Sequence, residues 1–128
     1  MSTSLKTPLA RVRGLGSAKA GTDHFWHQRL SAIANVPLAI GFVILLALTI
    51  GKPHEQQVAT LSNPLAAILV LLFVVVGAWH MRLGMQVIIE DYVPNEGRRI
   101  ALLVLNTFFA AIVSVASVYA VLKIGFGA

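Results

Sequence analysis

A chain of 128 residues that is 57% hydrophobic and only 12% charged, with a mean hydropathy of +0.80, cannot clothe a small compact core in the polar surface that water demands, so its class is membrane protein. The absence of cysteine excludes disulfides, thiolate-held iron–sulfur clusters and thiol-attached haem, so any redox centre must use other ligands. A net charge of +5 would suggest nucleic acid in a soluble protein, but in a membrane protein basic residues first report topology, and no nucleic-acid partner is expected.

Residues 1–23 carry Lys6, Arg11, Arg13 and Lys19 against the single acid Asp23, with Gly14, Gly16 and Gly21 scattered among them. This reads as a flexible basic arm. Gly14-Leu15-Gly16 lacks the preceding strand that a phosphate loop needs. The first apolar run starts only near Leu30, too far from the charged start for a signal peptide, although an acid-poor basic arm also suits a mitochondrial transit peptide. Trp26 and Arg29 fit a membrane–water boundary, where an aromatic ring and a snorkelling cation both find partners. The 22 residues from Leu30 to Gly51 give roughly 33 Å of helix, enough for a hydrocarbon core of about 30 Å. Pro37 falls inside this run and is expected to bend the helix without ending it.

Lys52–Asn63 reads as a short polar loop, closed by Asn63 as N-cap and Pro64 at the first helical position. A second span is expected over about 64–89, with the helix continuing to about Tyr92. Pro94 and Gly97 mark the next turn. The third span is expected over about 100–122, bracketed by Arg98, Arg99 and Lys123. Along it Ala110, Ser114 and Ser117 form a small-residue stripe suited to helix packing. The chain is therefore expected to be a single all-α membrane domain of three transmembrane helices, with no repeat and no linker to a second domain. Eight basic residues (Lys6, Arg11, Arg13, Lys19, Arg29, Arg82, Arg98 and Arg99) fall on one side and two, Lys52 and Lys123, on the other. The positive-inside rule puts the amino terminus and the Glu90–Arg99 turn inside and the carboxyl terminus outside.

The chemistry concentrates in Trp79–Pro94, where His80, Arg82, Gln86, Glu90, Asp91 and Tyr92 interrupt the apolar second helix. Lipid admits such groups at a cost, and ionisable residues there mark functional sites by default. At about 100° per residue, His80 and Asp91 lie only about 20° apart around the helix and ~16 Å apart along it. Gly77 and Gly84 fall close to the same line and remove side-chain bulk, so a flat, large ligand fits that face. His80 is either bonded to a neighbouring helix or an axial ligand of haem iron. With His24, His27 and His54 outside or at the edge of the spans, a second ligand would come from another protein of the same complex. Asp91-Tyr92 is either an ordinary helix end in the aromatic belt or a quinone headgroup site, with a phenol to donate and a carboxylate to relay protons. Arg29 and Arg82 could pair with haem propionates or serve as positive-inside anchors.

The spacing from His80 to Asp91-Tyr92, with Gly84 between, resembles the hydrophobic membrane-anchor subunit of succinate dehydrogenase, respiratory complex II. Gly14-Leu15-Gly16-Ser17-Ala18 and His24-Phe25-Trp26-His27-Gln28-Arg29-Leu30-Ser31-Ala32 are similar to its alphaproteobacterial form. The resemblance implies that His80 is an axial ligand of a haem b shared with a sister anchor subunit. It implies that Tyr92 binds ubiquinone with Asp91 close by, and that Arg29 lies near the haem–quinone region. It further implies a flavoprotein subunit bearing FAD, an iron–sulfur subunit bearing the clusters, and a multi-pass place in a bacterial inner membrane or, as the lesser alternative, the mitochondrial one. Succinate chemistry would then belong to the partners. The neighbouring readings are the anchor of a quinol:fumarate reductase and a small transport or assembly subunit with His80 and Asp91 on a proton path.

Overall fold

The computed structural model describes residues 5–14, 16 and 21–127. Leu15, Ser17, Ala18 and Lys19, which carry part of the amino-terminal motif and one basic charge, lie outside the described residues. All regular structure within them is helical: α1 (Pro8–Val12), α2 (Gly21–Thr49), α3 (His54–Leu61), α4 (Pro64–Tyr92) and α5 (Glu96–Gly125). Three of these, α2, α4 and α5, are long and apolar enough to cross a membrane. At 29, 29 and 30 residues each reaches roughly 44 Å, so its ends extend past a hydrocarbon core of about 30 Å.

Local chemistry sets the boundaries. Asn63 Oδ1 accepts from the Leu65 amide at 2.9 Å and Pro64 opens α4, as the Asn-Pro pair indicates. At the far end Pro94 disfavours the helical region for the residue before it, and Val93 is extended, with φ −105° and ψ 100°. Asn95 then caps α5, its Oδ1 accepting from the Arg98 amide at 3.0 Å. Gly51 closes the end of α2 with φ +78°, a left-handed conformation that glycine adopts without steric cost. Pro37 lies inside α2 and the helix runs on through it.

The polar stretch after α2 is more ordered than a loop. His54–Leu61 is a helix whose first turn is closed by the Gln56 and Gln57 amides donating to the Pro53 carbonyl at 3.0 and 3.1 Å. Glu, Gln, Ala and Leu are good helix formers, and their propensity decides a segment that polarity alone marks as a connection. Ser62 Oγ donates to the Ile124 carbonyl at 3.3 Å and ties this end of the molecule to the end of α5.

The α4 helix is the central one: it packs against α2 on one side and α5 on the other, while α2 and α5 do not pack on each other. Ser31 meets His80, Gly41 meets Leu69 and Phe42 stacks on Phe73, ring centroids 4.4 Å apart. Ser31 near the start of α2 meets His80 late in α4, whereas Gly41 and Phe42 meet Leu69 and Phe73 early in it, so α2 and α4 are antiparallel. A Cβ on Gly41 would stand 2.6 Å from Leu69 Cδ1, so the missing side chain lets the helices approach. On the other side Asn106 Nδ2 donates to the Arg82 carbonyl at 2.9 Å and Arg82 Nε donates to Thr107 Oγ1 at 3.2 Å. Among the described residues only Val70, Ala78, Leu83, Ile89, Ala110 and Ser31 are buried, whereas Val36, Ile40, Val43, Phe108, Ile112 and Val115 are each more than half exposed. Outward apolar surface on that scale is stable against lipid tails or partner helices, not against water.

Candidate functional site

His80 lies in the middle of α4, opposite Ser31 of α2. Its Nδ1 is 2.9 Å from Ser31 Oγ, and Ser31 Oγ donates to the Gln28 carbonyl at 3.0 Å. Ser31 is the one buried polar residue among those described, 6% exposed. The other ring nitrogen, His80 Nε2, makes no hydrogen bond to a described residue and is not among the enclosed polar atoms that lack a partner, which are His24 Nε2 and Asn35 Oδ1. The ring is thus anchored to α2 at one nitrogen and open at the other.

The two glycines beside the histidine differ. A Cβ on Gly84 would meet nothing within 4 Å, whereas one on Gly77 would stand 3.9 Å from Asn35 Oδ1. The free flank beside His80 therefore extends toward Gly84 and the Asp91 end of the helix, and the Gly77 side is taken up by α2. Asn35 lies one turn along α2 from Ser31, so these two polar residues face the same part of α4.

A second flank of α4 forms a groove of about 700 Å³ that reaches from α2 to α5. His27, Ser31, Trp79, Arg82, Thr107 and Ser114 supply its polar and aromatic edges within an otherwise apolar lining. The His27 and Trp79 rings meet edge to face with centroids 6.1 Å apart, and the Arg82 guanidinium lies 5.3 Å from the Trp79 ring centroid. Arg82 is therefore shared between an aromatic face and Thr107, a geometry suited to a guanidinium near lipid. Ser31 lines this groove and also holds His80, so it belongs to both flanks.

Asp91 and Tyr92 stand at the end of α4, exposed, Tyr92 by 80%. Neither makes a hydrogen bond or ion pair among the described residues, while their neighbour Glu90 accepts from Gln86 Nε2 at 2.9 Å. Arg29 lies on α2 with its guanidinium 5.2 Å from the Phe25 ring centroid. It is two residues from Ser31 and so close to the level of His80. Tyr92 is twelve residues beyond His80 in the same direction, placing it about 15 Å farther along the axis than Arg29 at ~1.5 Å per residue. The fold brings His80 and Ser31 together, sets Arg29 near their level, and leaves Asp91 and Tyr92 free at the helix end. Ser31 had a signal in the sequence: a polar residue in an apolar span tends to hydrogen-bond across to a neighbouring helix. Thr107 had none, because its role depends on where α5 packs.

The family model described as succinate dehydrogenase/fumarate reductase transmembrane subunit matches residues 3–114. The chain belongs to this family. A succinate dehydrogenase hydrophobic membrane anchor subunit of Paracoccus denitrificans is 38% identical over 95% of this chain and 94% of its own length. The subunit of the same description from Rickettsia bellii is 30% identical over 94% of this chain and 97% of its own. A succinate dehydrogenase membrane anchor subunit of Reclinomonas americana is 36% identical over 64% of this chain and 71% of its own. No solved structure matches the chain. Family membership agrees with the outward-facing apolar surface of α2, α4 and α5, which are membrane spans.

The residues fit a haem b. Imidazole is a standard ligand of haem iron, and His80 would offer one nitrogen, with its ring held at the other by Ser31 and open space at Gly84. Among the described residues no group of three or more His, Cys, Asp or Glu could enclose a metal ion.

Proposed function

We infer that this membrane anchor of succinate dehydrogenase contributes one axial ligand of a haem b and part of a ubiquinone site, and docks the flavin- and iron–sulfur-bearing subunits onto the membrane. The observation that carries this reading is His80, fixed at Nδ1 by a buried serine and open at Nε2 in the middle of a membrane span. The second ligand comes from the sister anchor subunit. A bound haem b supplies a one-electron store within the membrane.

This chain's own residues do the rest. Tyr92 donates its phenolic hydrogen to a quinone carbonyl, and Asp91 holds and passes on the protons that two-electron reduction of a quinone consumes. Their freedom from partners among the described residues leaves both groups available to a ligand. Arg29, level with the histidine, places a cation beside the haem region, where it can pair with a carboxylate. The basic residues at the amino terminus and at Arg98 and Arg99 put Asp91 and Tyr92 on the inner face of a bacterial or mitochondrial inner membrane, with the carboxyl terminus outside. The catalytic head then docks on that inner face.

Deleting the chain tests the anchoring role. Succinate-dependent reduction of an artificial dye should move from the membrane fraction to the soluble fraction. Retention of wild-type activity on the membranes would contradict it.

A further inference from the structure

We propose that Ser31 is a positioning residue that fixes the tautomer of His80, holding its proton on Nδ1 so that Nε2 presents a lone pair to iron. The proposal rests on the reading of His80 as a haem ligand.

The serine hydroxyl has one proton and two neighbours, the Gln28 carbonyl at 3.0 Å and His80 Nδ1 at 2.9 Å. A carbonyl oxygen can only accept. If the hydroxyl gave its proton to Nδ1, two oxygens would face each other at 3.0 Å with no hydrogen between them. If it gives the proton to Gln28, its lone pair accepts Nδ1–H and both contacts are hydrogen bonds. The second arrangement satisfies every group, and Ser31, at 6% exposed, has little water to take over either bond. The neutral imidazole with its proton on Nδ1 carries its free lone pair on Nε2, which the ligand role requires.

The backbone carbonyl, hydroxyl and imidazole form a short relay that polarises in one direction. Electron density is pushed toward Nε2, making the imidazole a better donor and favouring the oxidised iron. The relay also ties the ring to the α2 backbone, so the ligand's orientation is set by the α2–α4 interface. Ser31→Thr keeps a hydroxyl on Cβ, and in a helix a threonine Oγ can bond the carbonyl one turn back, as Ser31 does to Gln28.

The test compares Ser31→Thr with Ser31→Val in the intact complex, since the two side chains match in shape and differ in the hydroxyl. Midpoint potential of the haem is read by redox titration, haem retention by transfer to apomyoglobin, and assembly by flavin content. Ser31→Thr should keep the wild-type potential and retention. Ser31→Val should shift the potential upward and weaken haem binding by about 10- to 100-fold, the usual effect of losing a ligand's hydrogen-bond partner. Equal potential and equal haem retention in the two variants, with flavin content showing both assembled, would overturn the proposal. A parallel His80→Ala complex separates the two layers: unchanged haem there removes the ligand reading itself, whereas loss there with no difference between Thr and Val removes only the role of Ser31.

Discussion

Replacing His80 by alanine should abolish the low-spin, six-coordinate b-type spectrum of the dithionite-reduced complex and leave any residual haem able to bind carbon monoxide. The expectation follows from geometry. His80 is the one imidazole among the described residues held deep within a span with a ring nitrogen open, and no cluster of three metal-binding side chains among those residues could replace it. Its side chain bonds to Ser31, and losing one such bond between membrane helices costs on the order of 0.6 kcal/mol. The α2–α4 interface, built on Gly41 against Leu69 and Phe42 on Phe73, should survive. Flavin content measured beside the spectrum reports assembly. An unaltered low-spin band with no carbon monoxide binding would remove His80 as a ligand.

Tyr92→Phe should slow ubiquinone reduction by about tenfold while succinate oxidation by a dye acceptor stays unchanged, an effect that corresponds to roughly 1.4 kcal/mol of lost hydrogen bonding to the quinone. Tyr92 is 80% exposed and its hydroxyl has no partner among the described residues, so phenylalanine removes nothing that the fold uses. Steady-state assays with quinone and with dye on one preparation check the result. An equal fall in both would mean an assembly defect and not a lost contact with quinone.

Much of the fold is legible because lipid imposes few choices. Runs of about 20 apolar residues can only be helices, since every backbone group must find its partner within the segment. Asn63-Pro64 marks a helix start because the side chain and the ring each solve a problem of the first turn. The shared face of His80 and Asp91 follows from helical periodicity alone. Interhelical contacts are less accessible. The Ser31–His80 pair joins residues 49 positions apart, and apolar spans exposed on most sides carry little periodicity to reveal which face meets a neighbour. For the same reason Gly77 and Gly84 look equivalent in the sequence, although α2 covers one and leaves the other free. The level of Arg29 depends on the register between α2 and α4, which is set by Gly41 and Leu69 and not by any motif. Helix α3 shows the remaining gap: Glu55, Gln56, Gln57, Ala59 and Leu61 are good helix formers and outweigh the polarity that marks the segment as a loop.

The most direct test of the central claim is affinity purification of this chain, tagged at its carboxyl terminus, from membranes in mild detergent. Flavoprotein and iron–sulfur subunits should accompany it, and the preparation should reduce a dye with succinate. Recovery of the folded chain with neither subunit and no succinate-dependent activity would contradict its assignment as the anchor of a succinate-oxidising complex.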